Sequence, residues 1–278
     1  MANHNKIGVS TAFLRFFDFE NFIQEVKKLD VDYVEFKADP PCFFPLNLTD
    51  EGIEFIKRKL SSCDIKPIVH TTIYDVNLSS LNPTIREASV KTTLDCLELA
   101  KKLGAEILVV HGGNLPSNYS LRLMEKANEN LLLSLGELVK VAEKKGVIIG
   151  LENNAKGFNT GLVKKQDEHL FFLEKINSRF LKAVFDIGHA NLYGLSIEDY
   201  TRKIKDFLVE IHLHNNQGEK DNHFPLDQGK IDIENFLELI DELDISVPLI
   251  LEMTSLEDYE KSVNFLKDRN LLTVYGAP

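Results

Sequence analysis

With 278 residues, 44% of them hydrophobic, the chain can bury a full core, either as one large α/β barrel or as two ordinary domains. Its formal net charge of -11 disfavours non-specific adhesion to nucleic acid or to an anionic membrane. Three scattered cysteines, Cys42, Cys63 and Cys96, lack Cys-x-x-Cys spacing, and the polar start Met-Ala-Asn-His-Asn-Lys lacks the apolar stretch of a signal peptide; together they speak for a soluble, cytoplasmic protein with reduced thiols.

Residues 7–11 form a short apolar run expected to be a buried strand, and 18–29 carry Phe19, Phe22, Ile23, Val26 and Leu29 at helical spacing. A second strand at 33–37 leads into a loop rich in Pro and Phe, after which Thr49 caps a helix whose Ile53, Ile56 and Leu60 share one face. The third strand, 65–72, places His70 near its end. Asn82-Pro83 opens a long helix that stops at Gly104, and the fourth strand follows at 107–111. A second long helix, 120–145, ends at Gly146 and feeds the fifth strand, 147–153. A helix at 166–176 and a strand at 182–186 come next, and Ser196-Ile-Glu-Asp199 has the form of a capping box with Asp in place of Glu. The seventh strand ends in Glu210-Ile-His-Leu-His214; a helix at 231–243, a strand at 248–252 and a last helix from Ser255 to near Asn270 complete the chain.

No linker, low-complexity segment or solenoid-length repeat interrupts this order, so residues 1–278 are expected to form one domain. Eight strand-helix units in one undivided chain predict a (β/α)8 TIM barrel. A doubly wound open sheet is the alternative, but no Gly-x-Gly-x-x-Gly follows the first strand, and chemically capable residues end six different strands.

From the third strand onward those ends carry His70, His111, Glu152, Asp186 with His189 three residues on, His212 with Asp221 and His223, and Glu252. In a barrel they all face one mouth. Any one of them has an ordinary structural explanation, such as a helix cap, a salt bridge or a satisfied core histidine. Jointly they crowd four carboxylates together, which raises their pKa values unless a cation sits among them. Mixed imidazole and carboxylate donors favour Zn²⁺, Mn²⁺, Fe²⁺ or Co²⁺ over Ca²⁺ or Mg²⁺. Strand alternation puts Glu210, His212 and His214 on one face and Val209, Ile211 and Leu213 on the other. Gly150, two residues before Glu152 on the same face, is expected to leave room beside that carboxylate. Phe43 and Phe44, if exposed, could cap the site or meet a neighbouring chain.

The segments Leu-Glu152-Asn, Phe-Asp186-Ile-Gly-His189, His212-Leu-His-Asn, Asp221-Asn-His223 followed by Leu-Asp-Gln-Gly-Lys-Ile-Asp, and Leu-Ile-Leu-Glu252 resemble the xylose isomerase-like TIM-barrel superfamily over nearly the whole chain. That group holds sugar isomerases and epimerases together with apurinic endonucleases of the endonuclease IV type. Resemblance to the epimerase branch implies that Glu152, Asp186, His212 and Glu252 hold one metal ion, and that Glu152 and Glu252 move protons through an ene-diolate on a sugar or sugar phosphate. Resemblance to the endonuclease branch implies that all nine residues, His70, His111, Glu152, Asp186, His189, His212, Asp221, His223 and Glu252, hold three zinc ions and that the partner is nucleic acid.

Three signatures depart from the endonuclease pattern: Asp186-Ile-Gly-His189, His212-Leu-His-Asn-Asn-Gln and Glu152-Asn-Asn-Ala-Lys. The loop after the second strand also lacks arginines to grip DNA phosphates, so the balance tilts toward a small-molecule substrate. A metal-binding barrel without catalysis is a third possibility. The family pattern His-Leu-x-Asp/Asn selects His212 over His214 as ligand. His189, Asp221 and His223 are expected to lie together, with His70 and His111 across Glu152.

Overall fold

The computed structural model describes residues 6–12, 19–116, 118–156 and 159–269. Asp18, Asn270 and the polar start at 1–5, on which the sequence reading also drew, lie outside them. Eight parallel strands close into a barrel: β1 (Ile7–Ser10), β2 (Tyr33–Lys37), β3 (Lys66–His70), β4 (Ile107–His111), β6 (Ile148–Glu152), β8 (Leu181–Asp186), β9 (Leu208–Leu213) and β10 (Leu249–Leu251), with β10 pairing back to β1. Helices α1 (Phe19–Leu29), α2 (Asp50–Ser61), α3 (Pro83–Leu103), α4 (Leu121–Lys145), α5 (Gln166–Ile176), α7 (Ile197–Ile204), α8 (Ile233–Glu242) and α9 (Leu256–Asp268) alternate with the strands. Among the described residues, no helix is long and apolar enough to cross a membrane.

Local chemistry explains where the helices begin and end. Thr49 Oγ1 accepts the Gly52 N–H, Asn82 Oδ1 accepts the Thr84 N–H ahead of Pro83, and Ser196 Oγ accepts the Asp199 N–H. Gly104 and Gly146 close the two long helices in the left-handed conformation, where a side chain would be strained. Outward-facing strand residues such as Val34, Phe36, Leu151 and Phe185 pack under the helices in the main core. Phe43 joins this core, edge-on to Phe36 at 5.0 Å between ring centres, and Phe44 is half-buried; neither is a free cap for a site.

Inside the barrel, Ile68, Ile107, Val109, Val184 and Ile250 form a second cluster that seals the floor. Burial of each such side chain contributes roughly 1.5–3 kcal/mol. Two expectations are corrected here. Val209 packs against this floor although alternation assigns it outward, because a register shift at Ala183/Val184 turns both Val209 and Glu210 inward. Gly150 serves the same floor: a Cβ there would lie 2.5 Å from Val184 Cγ2, so the missing side chain admits Val184 and leaves no space beside Glu152.

Several short elements were not expected from the sequence. Strands β5 (Asn114–Pro116) and β7 (Asn159–Gly161) pair antiparallel over the mouth, and a short helix α6 (Ile187–Leu192) follows β8.

Candidate metal centre

Strand ends deliver donors to one cup because the strands are parallel and in register: His111 pairs with Glu152, and Asp186 with His212. The loop after β9 is pinned as a hairpin by the reciprocal backbone bonds of Asn215 and Phe224, which brings Asp221 and His223 back over the cup. His223 has a left-handed backbone (φ 50°), a costly conformation for a histidine and one that surrounding contacts must hold.

Glu152 stands at the centre. Its Oε2 lies 3.1 Å from both His70 Nε2 and His111 Nε2, and its Oε1 lies 3.3 Å from both His189 Nδ1 and His212 Nδ1. His70 and His111 thus occupy one side of this carboxylate. On the other side Asp221 Oδ2 lies 3.3 Å from both His189 Nε2 and His223 Nε2. Asp186 accepts the His189 backbone N–H at the start of α6 and lies 3.1 Å from His214 Nε2. Glu252 Oε1 is 3.6 Å from His212 Nδ1.

The orientation of the imidazoles is the informative feature. His70 Nδ1–H donates to the Thr71 carbonyl, His189 Nδ1–H to the Asn153 carbonyl, His223 Nδ1–H to the Glu252 carbonyl and His111 Nδ1–H to Asn154 Oδ1. A carbonyl oxygen can only accept, so each Nδ1 carries a proton, and in its neutral form each ring turns the bare lone pair of Nε2 into the cup. Every one of those lone pairs faces a carboxylate oxygen at 3.1–3.3 Å, an arrangement that repels unless a proton or a cation lies between. His212 Nδ1 and His214 Nδ1 are buried without a hydrogen-bond partner. A neutral imidazole whose other nitrogen is fixed by an acceptor is the usual form of a histidine metal ligand, and the donor set therefore fits a divalent cation. His169 shows the contrasting case: its Nε2–H donates to the Leu151 carbonyl and its Nδ1 accepts from the Tyr200 hydroxyl, so it is a satisfied core residue.

Without a cation, protons do the balancing. Burial alone would lower the pKa of His189, but Asp186 and Asp221 hold it well above the usual value. Burial opposes His212 likewise, yet Glu252, Glu152 and Glu35 raise it well above, and His223 is pushed up to about 9 by Asp221 and Glu252. Burial pushes Glu152 up, but the adjoining His111 and His212 pull it well below the carboxylate range. His111 goes the other way: burial outweighs Glu152 and lowers it to about 4, so this ring stays neutral.

The cup also holds groups beyond the donors expected at the strand ends from the third strand onward. Glu35 and Lys37, from β2, point inward with the same alternation as the other donors, and that alternation was the signal available for them. Lys37 Nζ pairs with Glu252 Oε1 and lies 3.3 Å from Glu35 Oε1. Glu210 joins Glu35 around His212 Nε2, at 3.2 and 3.1 Å. Donor atoms close enough to share an ion occur in five groups among the described residues: His70, His111 and Glu152; Asp186, His189 and His214; His214, Asp221 and His223; Glu35, Glu210 and His212; and Glu152, Asp186 and His212. His214 belongs to two of these groups, so the preference for His212 does not exhaust the donors offered by that strand.

Gly188 makes the approach of His214 possible, since a Cβ on Gly188 would lie 2.0 Å from His214 Cε1. Gly188→Ala is expected to cost about 1–3 kcal/mol of stability through overpacking and to push His214 away from Asp186. Denaturant unfolding measures the first effect, and unchanged unfolding free energy would mean that the ring moves freely.

The cup opens into a cavity of about 550 Å³ whose wall continues through Thr71, Ile73, Tyr74 and Asn114. Asp39 lies on this wall, and Lys37 is the one lysine or arginine among the lining residues described.

Comparison with known proteins agrees with the barrel fold. The family model described as xylose isomerase-like TIM barrel matches residues 23–269. The uncharacterized protein MJ1614 of Methanocaldococcus jannaschii is 32% identical over 267 residues, covering 95% of this chain and 98% of that protein. A probable endonuclease 4 of Mycoplasmopsis synoviae is 28% identical over 224 residues, covering 75% and 76%. The crystal structure of a D-tagatose 3-epimerase-like protein superposes with a TM-score of 0.85 at 26% identity, covering 95% and 96%. Joined to the closed eight-stranded barrel, these matches establish that the chain belongs to the xylose isomerase-like TIM-barrel family, whose members include sugar epimerases and endonuclease 4-like enzymes.

Proposed function

We propose that this protein is a metal-dependent isomerase or epimerase of a sugar, sugar phosphate or related hydroxycarbonyl compound. The observation that carries the reading is the pair Glu152 and Glu252, which flank His212 Nδ1 at 3.3 and 3.6 Å at the base of a cavity of small-molecule size. Zn²⁺, Mn²⁺, Fe²⁺ or Co²⁺ held by Glu152, Asp186, His212 and Glu252 would polarise the substrate carbonyl. One of Glu152 and Glu252 would remove the proton beside that carbonyl to give an ene-diolate, and the other would return a proton. Lys37, paired with Glu252, holds that carboxylate in place. The walls of the cavity carry Asp39 and Asp221 and no arginine among the described residues, which suits a neutral polyol better than a nucleic-acid backbone.

A second reading, a multinuclear zinc phosphodiesterase of the endonuclease IV type, draws on donors that a one-ion epimerase does not need: His70 and His111, grouped with Glu152, and His214, Asp221 and His223. Elemental analysis and turnover separate the two. The expected result is one tightly held ion per chain, together with solvent deuterium entering a ketose next to its carbonyl in D₂O. Two or three zinc ions per chain with cleavage of duplex DNA at an abasic site, and no exchange into any ketose or sugar phosphate tried, would replace the first reading with the second.

A further inference from the structure

The floor side of the cup holds a carboxylate that neither the epimerase nor the endonuclease ligand set uses. Glu35 comes from β2, is fully buried, and reaches across the barrel to place its Oε2 3.1 Å from His212 Nε2. Its other oxygen, Oε1, lies 3.3 Å from Lys37 Nζ. Lys37 in turn pairs with Glu252, so one residue is in contact with His212 directly and with Glu252 through one intervening side chain. His212 Nδ1, at the far edge of the same ring, has no hydrogen-bond partner and faces Glu152, Glu252 and Asp186 at 3.3, 3.6 and 3.9 Å.

We propose that Glu35 is a positioning residue of the metal centre: it accepts the Nε2–H of His212 and so fixes that ring with the Nδ1 lone pair turned toward Glu152, Asp186 and Glu252. His70, His111, His189 and His223 are fixed by backbone carbonyls or by an asparagine, and each presents Nε2; His212 is inverted, presenting Nδ1, and requires an acceptor on the floor side. A ring with one nitrogen held by an acceptor keeps one tautomer and one orientation, and a carboxylate acceptor also makes the opposite nitrogen a better donor to a metal. Glu210 Oε1 lies nearly as close, at 3.2 Å, but it has no second anchor: its Oε2 is buried without a partner, and it leaves the same strand two residues before His212. Glu35 Oε1 is likewise buried without a hydrogen bond but has the Lys37 ammonium at 3.3 Å, and Glu35 approaches from a different strand, so it is the acceptor that can set the plane of the ring.

This inference rests on the cup being a metal centre, and the test separates the two. Zinc affinity, read by competition with a chromophoric chelator, is expected to fall 10–100-fold in Glu35→Gln, and by less in Glu210→Gln. In the zinc-loaded wild type, ¹⁵N-histidine spectra should show His212, identified by the signal lost in His212→Asn, with the proton on Nε2 and the metal on Nδ1. In Glu35→Gln that signal should shift toward mixed tautomers, a change that a purely structural role would not produce. Wild-type zinc affinity and an unchanged His212 signal in Glu35→Gln would overturn the positioning role and leave the metal centre standing. A larger loss in Glu210→Gln than in Glu35→Gln would also overturn it, as would metal on both nitrogens of His212. Failure of the wild-type chain to bind zinc, manganese or cobalt would remove the metal centre and the positioning role together. Should Glu35→Gln fail to fold, the wild-type spectrum decides, since an unprotonated Nε2 on His212 contradicts the proposal.

Discussion

Glu152→Gln is expected to lose tight metal binding and to lower turnover by roughly 10²–10⁴-fold, the range for removing a positioned general acid or base. One carboxylate serves four imidazoles here, with Oε2 facing His70 and His111 and Oε1 facing His189 and His212. An amide of the same size offers one neutral acceptor and two N–H groups, so at least one pair of histidines would meet a donor where the carboxylate had offered an oxygen. In the metal-free protein the same change leaves buried, protonated His189 and His212 short of a counter-charge. Breaking such a buried pair costs about 3–5 kcal/mol. Metal content by elemental analysis, ketose exchange in D₂O and denaturant unfolding test the three consequences. A variant with wild-type metal content and wild-type turnover would take Glu152 out of the centre.

The second large effect is a stability maximum that metal should shift. In the metal-free protein His189 and His212 are held well above the ordinary histidine value, and His223 is raised to about 9. A raised group contributes stability that is complete below the unfolded value of 6.5 and is lost as pH rises through its folded value, so the His223 contribution disappears between about pH 6.5 and 9, and those of His189 and His212 are lost from 6.5 upward through their own raised values. His223 alone accounts for roughly 3 kcal/mol. On the acid side the depressed groups act in the opposite sense. Burial lowers His111 and His169 to about 4, so their contribution is present above 6.5 and lost as pH falls through about 4. Burial raises Glu35, yet Lys37 and His212 bring it down to about 2, so its contribution is present above the ordinary carboxylate value and lost as pH falls through about 2. The metal-free protein should therefore melt at its highest temperature near pH 6.5 and lose stability toward pH 9.

Zinc should remove the alkaline loss, because a ligating imidazole is neutral and the ion takes over the role of the proton. Zinc affinity should accordingly rise with pH across the same window, with protons released on binding. Calorimetry with and without a chelator measures both. A metal-free melting temperature that keeps climbing to pH 9 would contradict the ionic account of the cup.

Much of the architecture was legible because it depends on short-range chemistry. The apolar runs at 107–111 and 148–152 are strands whatever lies elsewhere, and Asn82-Pro83, Gly104 and Gly146 mark helix ends through the backbone conformations they permit. Strand parity likewise placed Glu152, Asp186, His212 and Glu252 on the inner wall. Parity failed at Val209, where the register shift inserts an extra residue that alternation cannot register. The β5/β7 pair was out of reach for another reason: each strand has three residues, and each exists only through bonds to the other, with Asn114 set against Gly161.

For the candidate site, the sequence by itself determined which donors stand at the strand ends, since alternation within each strand is a local property. Barrel closure decided that Glu35 and Lys37 join them, because β2 is separated from β9 by β10 and β1 and only the closed sheet brings Glu35 within 3.1 Å of His212. The fold also decided which nitrogen each histidine presents. That choice depends on the carbonyl that captures the other nitrogen, and for His189 and His223 it comes from Asn153 and Glu252, residues distant in sequence and supplied by neighbouring strand ends. A side chain's identity is written in the chain, whereas the direction of its lone pair is set by hydrogen-bond partners that only the folded protein assembles.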